Sequence, residues 1–226
     1  GPDVCGRYAS TRGTADLATL LGAQDEAAPV LTEPDYNVAP TKPVAAALVR
    51  GDTRRLVALR WGLVPSWAKD PKIGSRLINA RVETVADKPA FRSAFRRRRC
   101  LLPADGYYEW QPGEGPKAPK QPYFFRPADG SLLVMAGLYE VWHDAEDRPM
   151  WTCTVLTTEA SDDLGHLHDR TPMVLAPAAW DGWLDASTAD PLALLTPAIS
   201  GSLMAFAVST AVNNVRNNGP ELLEPC

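Results

Sequence analysis

A thiol nucleophile would have to come from one of four cysteines, Cys5, Cys100, Cys153 and Cys226. Cys100 and Cys153 lie in strand-like apolar runs, where cysteine is usually an inert small hydrophobe, and Cys226 is the last residue. Cys5, in Val4-Cys5-Gly6-Arg7-Tyr8, sits close to the start of the chain. A cysteine in that place becomes a 1,2-aminothiol if its own amine is freed. Such an amine, with an ordinary pKa of about 7.7–8.0, is partly neutral near pH 7 and condenses with an aldehyde to a Schiff base. The thiol can then close a five-membered thiazolidine ring. The plain alternative is a buried structural cysteine leading into the first strand.

Proton transfer calls for a histidine or a carboxylate. Of the three histidines, His166 and His168 lie in Gly165-His166-Leu167-His168-Asp169-Arg170-Thr171-Pro172, and in an extended chain their rings share a face. That suits a general base with a neighbour, or a metal pair. No third histidine, paired cysteine or carboxylate cluster at ligand spacing accompanies them, so no metal and no cofactor is expected. The remaining histidine, His143, reads as a surface residue. Glu109 stands between Tyr108 and Trp110, where burial would raise its pKa toward the range of an acid or base; the same alternation fits an outward-facing acid. In Asn79-Ala80-Arg81-Val82-Glu83 an amide, a guanidinium and a carboxylate occupy alternating positions, a set able to hold a phosphate and orient a reacting group. Asn213-Asn214-Val215-Arg216-Asn217-Asn218-Gly219-Pro220 reads as either a turn or a binding loop.

The elements that must position these residues belong to an ordinary globular chain. It has 226 residues, of which 45% are apolar and 22% charged, far from the composition of disorder. No run approaches the ~18–20 apolar residues of a membrane helix, and no basic-then-apolar leader opens the chain, so an intracellular, cytoplasmic protein is expected. Thr14 to Leu21 has helical spacing in Leu17, Leu20 and Leu21, with Thr14 as N-cap. Val44–Val49 and Leu56–Trp61 flank Gly51-Asp52 as a hairpin. Glu83 to Phe95 has helical spacing broken by Pro89. Strands are expected at Cys100–Pro103, Tyr107–Gln111, Tyr123–Arg126, Leu132–Trp142, Met150–Thr157 and Leu203–Val208, with a proline- and glycine-rich loop from Gln111 to Pro122. Short helical pieces are expected at Ala178–Leu184 and Leu192–Leu195. Strands joined by short turns rather than helical crossovers predict one α+β domain, mostly antiparallel sheet, over residues 5–226.

The net charge is −4 and the pI about 5.4, which by itself disfavours a nucleic-acid partner. Its distribution is uneven. Lys42 to Cys100 carries fifteen Lys and Arg against four acids, a local +11, while the rest of the chain is −15. Phosphate binding follows local potential, so this stretch, which holds Trp61 and Trp67, can form a nucleic-acid surface. Charge alone leaves open a solvated face balanced by acids elsewhere.

Taken in order, Cys5-Gly6-Arg7-Tyr8, Tyr36-Asn37-Val38-Ala39-Pro40-Thr41, Arg60-Trp61-Gly62-Leu63-Val64-Pro65-Ser66-Trp67, Asn79-Ala80-Arg81-Val82-Glu83, the run from Arg99 to Trp110, His168-Asp169-Arg170-Thr171-Pro172 and Val208 to Asn213 closely resemble the SOS-response-associated peptidase family, the abasic-site processing proteins. The resemblance spans nearly the whole chain. It implies a pseudo-barrel of antiparallel sheet, flanking short helices and a basic groove for single-stranded DNA carrying abasic sites, worked by a monomer. By position, Cys5 matches the crosslinking cysteine, Asn79 the asparagine that orients its amine, Glu109 the acid/base carboxylate and His168 the histidine that assists ring opening. Arg7, Arg81 and Arg170 match phosphate-holding positions, and Asn37 and Trp67 lie in motifs lining the same groove. Thr171 stands where the family pattern usually has Met, a change expected to affect packing.

The implied chemistry is a thiazolidine crosslink between Cys5 and the C1′ aldehyde of an abasic deoxyribose, with self-processing to expose the cysteine and a weak lyase side reaction. Residues 1–4 precede Cys5 and would block its amine; Gly1-Pro2 resembles a remnant of tag removal, which would make 1–4 a non-native leader. Two other readings stand beside this one. One is a cysteine hydrolase acting on other peptides, with His168 as base and Asp169 or Glu109 as orienter. The other is a non-covalent single-strand-binding module.

Overall fold

The structure, a computed structural model, describes residues 5–160 and 170–226. The chain enters through β1 (Tyr8–Ser10), α1 (Thr14–Leu21), β2 (Gln24–Asp25) and β3 (Asp35–Val38), then forms the hairpin β4 (Pro43–Arg50) and β5 (Thr53–Trp61). After β6 (Asn79–Arg81) and α2 (Arg92–Arg97) come β7 (Arg99–Ala104), β8 (Gly106–Gln111), β9 (Gln121–Pro127), β10 (Leu133–His143) and β11 (Pro149–Glu159). β12 (Arg170–Val174), α3 (Trp180–Leu184), β13 (Thr196–Pro197) and β14 (Leu203–Ala207) complete the order, with short 3-10 turns between them.

Two sheets result. One runs β14-β9-β8-β1-β3, and its strands pair antiparallel throughout. In the other, β7 pairs with β4 and β10, β4 with β5, β5 with β11, and β11 with β10, so five strands close on themselves. This ring is the barrel-like part of an α+β fold that is mostly antiparallel. β11 is the exception, running parallel to both β5 and β6, as does β2 to β5.

Alternation of side chains across these strands builds two cores. Tyr8, Leu59, Trp61, Ile78, Cys100, Leu102, Met135, Cys153 and Val155 fill the cluster that also takes Cys5. Leu17, Leu21, Leu56, Leu101, Leu138, Leu156 and Trp183 fill the cluster under α1 and α3. α1 spans the residues expected of it, with Gly13 rather than Thr14 at the N-cap and Gly22 in the left-handed conformation at its end. A third, smaller cluster of Ala9, Tyr108, Phe124, Val208, Val212 and Leu222 holds the C-terminal segment against the five-stranded sheet.

The segment Glu83 to Phe95 is less helical than its spacing suggests. Turns carry the chain past Pro89, and α2 begins only at Arg92. β7 and β8 abut at Asp105 but enter different sheets. The Asp105 carboxylate accepts from the backbone N–H and the hydroxyl of Thr11, which fixes the corner where the two sheets part.

Candidate functional site

Cys5 lies just before β1, and β1 pairs with β8 so that Tyr8 faces Tyr107 and Ala9 faces Gly106. Tyr108 N–H donates to the carbonyl of Arg7 at 3.0 Å, carrying the pairing one step further. Two residues beyond, the same antiparallel run brings Cys5 beside Glu109. The Cys5 backbone nitrogen donates to Glu109 Oε1 at 2.9 Å. Cys5 is fully buried and Glu109 is 3% exposed. Burial, and after it the charge of Glu109, pushes the Cys5 thiol well above its ordinary pKa. The backbone of Cys5 has φ 50, in the left-handed region.

The second wall comes from β6. Its residues pair in parallel with β11, Asn79 opposite Val155 and Arg81 opposite Thr157. Paired residues on neighbouring strands share a face, so Asn79 and Arg81 stand on the side of Val155, which belongs to the Cys5 cluster. Asn79 is half-buried, and its Nδ2 donates to the Ile78 carbonyl at 3.0 Å. Arg81 is exposed.

Arg170, at the start of β12, is 7% exposed and makes a two-pronged contact with Glu83, at 3.0 and 3.1 Å. It also donates to the carbonyl and hydroxyl of Thr157 at 3.1 and 3.2 Å. Burial works to raise the Glu83 pKa, but the Arg170 hydrogen bonds and the charges of Arg170 and Arg81 overcome it and hold the carboxyl below its usual value. Beside Arg170, Thr171 is buried, with its hydroxyl 3.4 Å from that of Tyr107. The ring of Tyr107 stacks on Phe125 at 5.1 Å. His168, His166 and Asp169 lie outside the described residues.

Arg7 and Asn37 occupy a different position relative to Cys5. The Arg7 guanidinium donates to Asn37 Oδ1 at 2.9 Å and to the Val212 carbonyl at 2.6 Å, and it lies 5.6 Å from the centre of the Trp110 ring. Its partial burial lowers its pKa. Asn37 is fully buried, with its amide directed at backbone carbonyls of the segment after Val212. Trp67 is 60% exposed, on the loop after Trp61. That loop is fastened through the Ala68 carbonyl, which accepts from Trp142 Nε1 at 2.7 Å.

Sequence reasoning passed over Glu140. It is a buried carboxylate on β10 that Arg98 contacts at 2.6 Å and the Ser66 backbone also hydrogen-bonds. It therefore ties the Trp67 loop to the end of α2; its only signal in the sequence was an acid inside an apolar run. The basic stretch divides in the fold. Arg50 and Arg55 pair with Glu26, Arg54 with Asp181 and Arg98 with Glu140, while Arg99 donates to carbonyls of Trp183, Phe95 and Asp185. Lys69, Lys72, Arg76, Lys88, Arg92, Arg96 and Arg97 are exposed and outside any salt bridge among the described residues.

Among the described residues no three His, Cys, Asp or Glu side chains come together as a metal site, and no helix is long and apolar enough to cross a membrane. A separate cleft of about 460 Å³ between α1 and β4 is lined by none of the candidate residues.

Fold and site together define a β-rich domain that closes around one cysteine near the chain start and sets a carboxylate against that cysteine's nitrogen. The chain belongs to the family described as SOS response associated peptidase (SRAP), whose family model matches residues 4–215. It is 38% identical over 224 residues to abasic site processing protein YoqW of Bacillus subtilis (strain 168), covering 98% of this chain and 99% of that one. It is 34% identical to abasic site processing protein YedK of Escherichia coli (strain K12), covering 98% and 100%, and 33% identical to abasic site processing protein HMCES of Gallus gallus, covering 98% and 78%. A crystal structure of a protein from Bacteroides thetaiotaomicron shares the fold, with a TM-score of 0.85 at 23% identity over 98% of this chain and all of that one. One from Bordetella bronchiseptica gives 0.76 at 27% identity, over 91% of this chain and all of that one.

Proposed function

We propose that this protein senses abasic sites in single-stranded DNA and captures them covalently through Cys5 once the residues before it are removed. The observation that carries the reading is the 2.9 Å contact between the Cys5 nitrogen and Glu109; the names of the relatives support the lesion. After removal of residues 1–4 that nitrogen is an α-amine with a carboxylate already on it. The amine attacks the C1′ aldehyde of the opened deoxyribose. Glu109 relays protons so that the carbinolamine loses water to an imine. The Cys5 thiol then adds to the imine carbon, its proton passes to the nitrogen, and the ring closes. One aldehyde and one aminothiol give one thiazolidine and one water.

Burial holds the Cys5 thiol above its ordinary pKa, so attack of its sulfur on the imine, like attack on a peptide carbonyl, needs a neighbouring base to take the proton. Asn79 orients the amine, His168 assists ring opening, and Arg81, Arg170 and Trp67 receive the strand, while Arg7 and the fully buried Asn37 hold the protein's own segment after Val212. The base stacking expected of such a groove needs unpaired bases. An imine not trapped by sulfur can lose the 3′ phosphate by β-elimination, a route to a weak lyase side reaction. Release of the residues before Cys5 is the self-directed peptidase step.

The test is to incubate a form beginning at Cys5, and its Cys5→Ala variant, with single-stranded DNA holding one abasic site. A heat-stable adduct with the first protein alone is expected. No adduct from either protein, with salt-sensitive retention of DNA equal for both, would leave only a non-covalent binding module; equal heat-stable adducts from both would remove the Cys5 thiol from the chemistry.

A further inference from the structure

The turn that carries Trp67 is fastened at every second residue. Val64 N–H donates to Thr152 Oγ1 at 2.9 Å, Ser66 N–H donates to the Glu140 carboxylate, and the Ala68 carbonyl accepts from Trp142 Nε1 at 2.7 Å. Ala68 N–H closes the turn on the Pro65 carbonyl at 3.0 Å. Glu140 and Trp142 are two apart on β10 and so share a face, and Glu140 stands opposite Thr152 of β11. Leu138, on that same face, belongs to the cluster under α1 and α3, whereas Tyr139 and Cys153, on the other face, belong to the Cys5 cluster. The turn therefore rides on the side of β10 and β11 turned away from Cys5.

Such fastening is costly for a surface turn. Glu140 is 3% exposed, and burial pushes its carboxyl pKa up even with Arg98 Nε 2.6 Å away. Arg98 also donates to Ser93 Oγ at 2.8 Å, so one carboxylate joins the turn to α2. The indole at the tip gains no burial in exchange. Trp67 is 60% exposed and has no ring or cation contact among the described residues. Lys69 and Lys72, just after it in the chain, are exposed and outside any salt bridge among the described residues. A mobile turn would lose conformational freedom when a base stacked on it, and a turn already fixed loses little. The adjacent cations complement the phosphates of a single strand.

We propose that Glu140 and Trp142 are positioning residues that clamp the Trp67 turn onto β10 and hold its indole out as a pre-set platform for one base of a single DNA strand. This rests on the reading of Trp67 as a residue that receives the strand. Because the turn lies on the side away from Cys5, the clamp governs how firmly the strand is held and leaves the reacting pair to its own contacts.

The test is a double-mutant cycle in equilibrium binding of the Cys5-terminal protein to a single-stranded oligonucleotide carrying a tetrahydrofuran abasic analogue, which has no aldehyde. Trp67→Ala is expected to weaken binding about tenfold, the size of one stacked base. Glu140→Ala and Trp142→Phe, the latter keeping an aromatic ring but losing the N–H that holds Ala68, are each expected to weaken it about threefold, a part of the same stack. Neither is expected to cause further loss in the Trp67→Ala background. Glu140→Gln, whose amide oxygen can still accept from Ser66 N–H, is expected to restore affinity even where the lost charge lowers stability. Equal losses with and without Trp67 overturn the proposal; if Glu140→Ala fails to fold, Trp142→Phe carries the cycle. A loss in Trp67→Ala with full affinity in both clamp variants overturns the clamp alone, and full affinity in Trp67→Ala overturns the clamp together with the reading beneath it. With the aldehyde-bearing oligonucleotide, the clamp variants are expected to raise the DNA concentration for half-maximal adduct formation rather than lower the maximal rate. No heat-stable adduct from the parent protein, with the cycle as expected, would count against the crosslinking reading and leave the clamp standing.

Discussion

The nitrogen of Cys5 and the carboxylate of Glu109 meet at 2.9 Å across 104 positions of sequence. The buried carboxylate bears on both the nitrogen and the sulfur of Cys5, accepting from the one and, after burial, adding to the forces that raise the pKa of the other. Glu109→Gln separates the two effects. Crosslinking by the Cys5-terminal form is expected to slow by about 10²-fold or more, the usual size of a lost acid/base group, while affinity for the aldehyde-free oligonucleotide is kept. Removing the negative charge also lowers the Cys5 thiol pKa, so the pH profile of Cys5 alkylation, followed by mass spectrometry, should move to lower pH. An unmoved profile would contradict the electrostatic coupling.

Arg170 and Glu83 make the second testable pair. Glu83 is 38% exposed on its side chain and Arg170 only 7%, so the contact lies between a surface ion pair and a buried one. Glu83→Gln should cost about 1–2 kcal/mol in urea denaturation at neutral pH. Because the folded-state pKa of Glu83 is depressed, its contribution is present above the unfolded carboxyl pKa and lost as pH falls through the folded value. The difference in stability between the parent protein and Glu83→Gln should therefore shrink below about pH 5. A difference that stayed constant to acid pH would remove the ion pair from the explanation.

Gly106 begins β8, three residues before Glu109. A Cβ there would lie 2.2 Å from the Phe125 carbonyl oxygen and 2.6 Å from Phe124 Cζ. Backbone on the adjacent strand cannot swing away as a flexible side chain can, so Gly106→Ala should destabilise by about 1–3 kcal/mol. The strain falls on the strand that sets Glu109, and crosslinking should suffer beyond what the unfolded fraction explains. Denaturation and adduct yield measured on the same sample check this.

Trp67 is 60% exposed and makes none of the ring contacts that hold the buried aromatics. Trp67→Ala should leave the unfolding midpoint within experimental error while weakening single-strand binding by about 1–3 kcal/mol, one stacked base. Equal losses in the midpoint and in affinity would mark it as a structural residue.

Local pattern made much of this fold legible. The spacing of Leu17 and Leu21 marks α1, and Gly51-Asp52 marks the β4–β5 turn, because helices and hairpins are decided by neighbours in sequence. The short strands β3, β6 and β12 escape such reading: three to five residues carry too little period, and each exists because a distant partner supplies its hydrogen bonds. In Glu83 to Phe95 the break expected at Pro89 is present and a helix follows it, but the stretch before it forms turns, because apolar spacing satisfied by packing of turns looks the same as a helix. Cys5 and Glu109 were visible as candidates, yet nothing in the chain before folding shows that one nitrogen meets one carboxylate. The count of arginines behaved likewise. Arg54, Arg55, Arg98 and Arg99 read as unpaired surface charge, and the fold gives each a partner within the chain, at the surface for Arg54 and Arg55 and among buried groups for Arg98 and Arg99.

Cys5 is held at φ 50, a conformation that costs an L-residue roughly 1–2 kcal/mol. That angle is a torsion about the bond from nitrogen to Cα, and it is defined only while a preceding carbonyl carbon is attached. Severing the bond before Cys5 abolishes the torsion along with its cost. The cost of that conformation therefore lies at Cys5 itself, and a form of the chain beginning at Cys5 would not carry it.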